Sequence, residues 1–235
     1  MEVLPVRTPI LNPPQHDLAP VLAAALPPLG ERDVLCVSSK VVAIDEGRCV
    51  PIAAAEKSAL ISQEADIEIA VAYKRWPLTV KHHAFLGSAG IDESNGDGYY
   101  VLQPSDPFAS AARLHAWVTA HAGLAELGLV ITDSHSQPFR LGATGVAAAW
   151  WGIAPLVSHI GETDLFGREL RCERSNIVDG LAATATLVMG ETDAAVPVAI
   201  IRGAPDIQFT GGDTREHLFV SPEHDHFRVL YERFV

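Results

Sequence analysis

Leu129-Val-Ile-Thr-Asp-Ser-His-Ser-Gln-Pro-Phe-Arg140, with Leu141-Gly-Ala-Thr-Gly145 behind it, is the stretch whose reading decides the fold. Leu129 to Thr132 are apolar or β-branched and predict a short buried strand. The strand ends in Asp133-Ser134-His135-Ser136, polar side chains that can all reach a ligand. Pro138 and Gly142 mark the loop that follows. A carboxylate at the end of a buried strand can hold a divalent cation beside a substrate phosphate. The alternative for Asp133 is an Asx turn onto its own backbone.

Working outward, Asp33-Val-Leu-Cys-Val-Ser38 predicts a second buried strand, and Ser38-Ser39-Lys40 offers two hydroxyls and an ammonium at its end. That trio suits a phosphate; it also suits a helix cap followed by a solvated lysine. Glu2 to Arg7 reads as an edge strand, because Pro5 removes a ladder donor. Asp17 caps a helix over Leu18 to Leu26, and Val41 to Ile44 fits one further turn. Ala53 to Trp76 is the longest helix candidate, with Leu60, Ile67, Ala70, Val71 and Tyr73 as its apolar positions. Ser105-Asp106-Pro107 starts a helix through Ala122, Asn176 to Met189 forms another, and Val196 to Ile201 is a last strand.

The loop after Phe85-Leu86 carries Gly87, Ser88, Ala89 and Gly90, then Asp92, Asn95 and Asp97. Small residues let a ligand approach, and three oxygen-bearing side chains in a short loop suit a hard cation. The spacing is not that of an EF-hand, since Tyr99 to Leu102 reads as a strand with no acid closing the loop. A polar turn between strands is the plainer account. His82 and His83 are structural or surface histidines. Gly145 to Ile153 predicts a strand buried on both faces, with Trp150 and Trp151 either core residues or platforms for a planar ligand. Gly161 to Leu170 predicts a turn and an exposed edge strand. Gly190-Glu191-Thr-Asp193 is either a helix C-cap or a carboxylate placed beside a site. Phe209, Phe219, Phe227, Leu230 and Phe234 in the tail are expected to dock on the body or on a second subunit.

Composition narrows the class. The 235 residues are nearly half apolar and a fifth charged, enough for a sizeable core. A formal net charge of −12 argues against nucleic acid or an anionic membrane as the main partner. Cys36, Cys49 and Cys172 have no CxxC spacing and fit a reducing compartment. No apolar run approaches the roughly 20 residues of a membrane helix, and Met1-Glu2-Val3 lacks a basic leader, so a cytoplasmic protein is expected. Internal repeats, linkers, a Walker A motif, GxGxxG and GxSxG are all missing from the sequence.

Taken together, Asp33 to Lys40 with Glu46-Gly-Arg48, Ala89-Gly-Ile-Asp-Glu-Ser-Asn95, Pro104 to Pro107, Ile131-Thr-Asp-Ser134, Asp164 to Leu170 and Leu187-Val-Met-Gly-Glu191 resemble the coenzyme F420-0:γ-glutamyl ligase family. The matches keep their order over about residues 2 to 203. The resemblance implies a mixed α/β (α+β) fold of two intertwined subdomains in a homodimer, as one domain over 1–235 with 204–235 as a C-terminal extension. It implies a GTP- or ATP-dependent amide ligase acting on L-glutamate, with Mg²⁺ or Mn²⁺, two ions in all. Asp92, Asp133, Ser134 and Glu191 fall on the family's metal positions. Pro9, Ile10, Leu11, Ser39, Lys40, Asn95, Met189 and Gly190 fall on nucleotide positions, and Asp92, Asp133 and Arg140 on catalytic ones.

Two positions depart from the family. Its nucleotide-binding lysine is Ile44 here, and one arginine of its run after the metal-bearing strand is Gln137. The second change removes a bidentate partner for a phosphodiester. It therefore turns the expected acceptor from the deazaflavin F420-0 towards a tetrahydrofolate, on which Trp150 or Trp151 would stack. The alternative in another class is a non-catalytic metal- or phosphoanion-binding homologue. The chemistry favours the enzyme: a carboxylate must become an acyl phosphate before an amine attacks it, which calls for hard oxygen ligands and cations around the phosphates.

Overall fold

The computed structural model describes residues 1–71 and 77–234. In chain order it contains strand β1 (Glu2–Val6), helix α1 (Leu18–Ala25), β2 (Val34–Ser38), α2 (Ser39–Asp45) and β3 (Cys49–Pro51). Next come α3 (Lys57–Glu64), β4 (Ile67–Val71), β5 (Pro77–Lys81), β6 (Ala84–Gly87) and β7 (Tyr99–Val101). Then follow α4 (Pro107–Ala122), β8 (Gly128–Ser136), β9 (Ala143–Trp151), β10 (Leu156–Ser158) and β11 (Arg174–Asn176). The chain closes with α5 (Ile177–Met189), β12 (Val198–Arg202) and the short α6 (Arg228–Tyr231). The mixed α/β class expected from the sequence is what is observed.

The central sheet has five strands in the order β1-β12-β2-β8-β9. Its middle strands are apolar on both faces: Val34, Leu35, Cys36 and Val37 are fully buried, as are Leu129, Val130 and Ile131. Such strands need cover on both sides. Helix α5 provides it on one side. Gly145 of β9 sits directly against this helix, and a Cβ there would run into the Ala182 carbonyl and Thr186 Oγ1. Trp150, further along β9, packs edge-on against Phe108 of α4 at 4.9 Å.

Both helices carry their own end signals. Asp106 Oδ1 accepts from the Phe108 and Ala109 N–H groups at the start of α4, and Gly123 ends it at φ 68°. Asn176 caps α5 by accepting from the Asp179 N–H at 3.1 Å. A second, smaller apolar cluster (Leu60, Ile61, Ala89, Ile91, Tyr100, Leu102) lies beneath α3.

Three expectations need correcting. Ala53 to Trp76 is not one helix but a 3₁₀ turn over Ile52–Ala54, then α3, then β4. Ile67, Glu68 and Ile69 run half-buried, exposed and buried, a period of two that outweighs the alanine-rich start; Tyr73 and Trp76 lie outside the described residues. The strand opening at Leu129 does not stop at Thr132: Asp133 to Ser136 continue it, paired with Val146 to Ala143 in the β8–β9 hairpin. The hairpin satisfies their backbone groups whatever their side chains are. Trp150 is no ligand platform: it is 1% exposed and its indole N–H donates to Thr214 Oγ1 at 2.9 Å. In the tail, Phe219 stacks on His83 at 4.1 Å and Phe209 lies under the Arg32 guanidinium, docked on the body as expected, while Phe227, Leu230 and Phe234 are exposed.

Burial separates the three cysteines, and thiol labelling reads that separation. Cys36 lies inside β2, where burial pushes its thiol up to about 12; Cys49 is half-buried and Cys172 exposed. At pH 8 a thiol-specific chromogenic reagent should label Cys172 within minutes and reach Cys36 only after denaturation, since the thiolate is the nucleophile. Labelling of Cys36 in the native protein as fast as Cys172 would contradict the placement of β2.

Candidate functional site

In the central sheet β2 and β8 run parallel, with Ser38 opposite Thr132. Their carboxyl ends therefore open on the same side, which is where an open α/β sheet binds ligands. A cleft of about 660 Å³ begins there. It is closed by the Thr8–Pro13 segment, by the loop from Gly90 to Asp97 and by the segment from Met189 to Pro197 after α5.

Thirteen residues carry the site expectations, and the structure brings twelve of them to this cleft: Pro9, Ile10, Leu11, Ser39, Lys40, Asp92, Asn95, Asp133, Ser134, Met189, Gly190 and Glu191 all line it. Arg140 does not. It lies on the exposed tip of the β8–β9 hairpin between Phe139 and Leu141, whose side chains are fully open.

Asp133 follows a bulge in the β8–β9 hairpin: Ile131 pairs with Ala149 and Thr132 with Ala147, so the extra residue is Ala148 on β9. Asp133 itself pairs with Val146. Its Oδ1 accepts from the Ser134 N–H and its Oδ2 from Gln103 Nε2, both at 2.8 Å. The carboxyl is raised to about 6: burial pushes it up and the nearby Asp92 charge adds to this, outweighing the bonds from Ser134, Gln103 and Ser39 that pull it down.

Asp92 pairs its backbone with Val101 at the end of β7. Its carboxylate accepts from the Ser94 N–H at 2.7 Å and from Ser94 Oγ at 3.0 Å. Lys40 Nζ stands 2.6 Å from Asp92 Oδ2 and also donates to the Ser94 carbonyl. Burial raises the Asp92 pKa, but the bond and charge of Lys40, with the two bonds from Ser94, hold it below the ordinary carboxylate value. The pair is 25% and 43% exposed. A pair that open contributes about 1 kcal/mol or less, so a phosphate or a divalent ion can displace it. Across the cleft Asn95 Nδ2 donates to the Thr192 carbonyl at 3.0 Å, joining the acidic loop to the segment after α5.

The wall is rich in acid. Asp92, Asp97, Asp133, Glu191 and Asp193 line it, and among the described residues Lys40 is the one lysine or arginine that does. Among the described residues no three His, Cys, Asp or Glu side chains come close enough to enclose a metal ion by themselves. That still fits Mg²⁺ or Mn²⁺, which are commonly held by one or two carboxylates with substrate oxygens and water completing the shell. The donors are all hard oxygens, and a cation, the Lys40 ammonium, already stands on Asp92. Sequence reading missed Gln103 and Thr186 on this wall; Gln103 in particular, between Leu102 and Pro104, carries no local signal.

The family model described as F420-0:Gamma-glutamyl ligase matches residues 5–203. Proteins named coenzyme F420:L-glutamate ligase from Methanococcus maripaludis and Methanocaldococcus jannaschii are 32% and 33% identical, each alignment covering 97% of this chain and of the relative. One from Halobacterium salinarum is 35% identical over 90% of this chain and 89% of its own. With the family match spanning the central sheet from Pro5 of β1 onward and every segment that lines the cleft, this chain belongs to the F420-0:gamma-glutamyl ligase family of amide-bond-forming enzymes.

Proposed function

We propose that this ligase joins the amine of L-glutamate to an acceptor carboxylate, activated as an acyl phosphate at the expense of GTP or ATP in the cleft at the ends of β2 and β8. The observation that carries the reading is the convergence on one cleft of Ser39, Lys40, Asn95 and Met189-Gly190 with Asp92, Asp133, Ser134 and Glu191. Ser39 and Lys40 donate to the nucleotide's phosphates from the start of α2. Asp92, Asp133, Ser134 and Glu191 would hold Mg²⁺ or Mn²⁺, which neutralises charge developing on the transferred phosphoryl group. Asn95 and the segment after α5 close over the nucleotide and hold water away from the acyl phosphate.

For the acceptor, the curated relatives are named for coenzyme F420, and a deazaflavin acceptor is the first reading. Gln137 supports a second, a folate-type acceptor without a phosphodiester. The stacking support for folate is gone for Trp150, which is core. Assembly as a homodimer is part of the proposal. Phe139, Leu141, Leu165 and Phe166 are each more than nine-tenths exposed on two loops, and apolar tips of that kind usually meet a partner.

Three measurements test these points. Asp133→Asn should leave the melting temperature within a few degrees and lower kcat by at least about 100-fold, because a charged ligand is lost from the cation site; near-normal turnover with Mg²⁺ or Mn²⁺ would remove Asp133 from the site. Equal amounts of F420-0 and tetrahydrofolate should compete for limiting glutamate, with products weighed by mass spectrometry. Glutamylated F420-0 is expected to dominate, and exclusive glutamylation of folate would reverse the choice of acceptor. Light scattering at micromolar concentration should give twice the 25.1 kDa chain mass; a monomer would refute the homodimer.

A further inference from the structure

Gln103 ties the two acid-bearing segments together. The residue is 4% exposed and follows β7. Its backbone carbonyl accepts from Arg48 Nε at 3.1 Å, and Arg48 is itself held by Glu64 at 2.6 Å. The backbone is thus anchored independently of the side chain. The side-chain amide uses both of its hydrogens. One goes to Asp133 Oδ2 at 2.8 Å, the other to the Gly90 carbonyl at 3.2 Å. An ionised carboxylate and a carbonyl only accept, so the amide can face only one way.

That orientation leaves Gln103 Oε1 without a partner, the one buried side-chain polar atom in that condition among the described residues. Buried amides normally satisfy both ends, and a bare acceptor is destabilising. An apolar side chain would avoid it. Gly90 is fitted to the same contact: its φ is +71°, and a Cβ there would collide with the Gln103 amide. Gly90 lies two residues before Asp92, so a single amide spans from the Asp92 loop to the Asp133 strand.

The geometry points to Gln103 as a positioning residue that locks the Asp92 loop onto Asp133, holding both carboxylates in the arrangement a shared divalent ion requires. This inference rests on the proposed metal role of Asp92 and Asp133. Groups that orient metal ligands typically change affinity 10- to 100-fold when lost. A role confined to folding would lower the melting temperature and the active fraction but leave the affinity of the folded protein unchanged.

The test is Gln103→Met in the full chain, with free Mn²⁺ counted by electron paramagnetic resonance, thermal melting in parallel, and the same substitution in an Asp133→Asn background. Wild type should bind Mn²⁺, and Gln103→Met should bind it at least about tenfold more weakly. With Asn at 133 the second substitution should add little, because the two act as one unit. If the methionine variant melts too low to assay, Gln103→Asn carries the measurement: its amide is one carbon too short to reach both partners. Equal Mn²⁺ affinity in wild type and variant, or fully additive losses, would overturn the positioning role. No Mn²⁺ uptake by wild type, either alone or with a non-hydrolysable nucleoside triphosphate analogue present, would overturn the metal reading beneath it.

Discussion

The parallel pairing of β2 with β8 is the constraint on which the rest depends. The other pairings described in the central sheet are antiparallel; this one aligns Ser38 with Thr132 and so turns two strand ends the same way. Parallel neighbours cannot be joined by a tight turn and need a long crossover. Here the crossover holds α2, α3, α4 and the β4–β6 sheet. The cost in chain is what delivers Lys40, Asp92 and Gln103 to the same place as Asp133. An antiparallel pairing at that position would have put Ser39-Lys40 and Asp133-Ser134 at opposite edges of the molecule.

Much of this was readable before any coordinates. β2, α4, α5 and β12 announce themselves through continuous apolar runs, helical spacing and local caps such as Asp106, because those signals act within a few residues. The site residues were legible through short motifs, each of which stays within one loop or strand end. What failed had its cause far along the chain. Trp150 is core because Thr214, 64 positions on, receives its indole N–H. Gln103 matters because Asp133, 30 positions away, meets its amide. Ile67 to Val71 look helical after an alanine-rich start, but pairing with β5 makes them a strand. Arg140 was read with Asp133 because only six residues separate them, yet the hairpin carries it to the exposed tip while Asp133 stays beside the cleft.

The departure at Ile44 also acquires a physical meaning. Lys40 and Ile44 are four residues apart on α2, so their side chains share a face, and both line the cleft. Ile44 is 2% exposed and belongs to the main core. A lysine there would have to bring its ammonium out of apolar surroundings, whereas Lys40, one turn earlier, is open enough to reach both Asp92 and a ligand. The cationic task at this wall falls to Lys40 alone among the described lining residues.

That leaves a problem of charge that the proposed chemistry has to meet. Five carboxylates face one ammonium across the cleft to which the proposed function brings a triphosphate. Two like charges 4 Å apart at an effective dielectric of 20 repel by about 4 kcal/mol, and a triphosphate would meet several such terms at once. The Lys40–Asp92 pair cannot offset this, because each charge Lys40 gives to Asp92 is one withheld from phosphate. Divalent ions change the sign of the local field: on the proposed reading, a cation held by Asp92 and Asp133 would satisfy the acids, free Lys40 and supply positive charge for the phosphates. On the proposed reading, the acid-rich wall is one half of a site whose other half would arrive with the nucleotide.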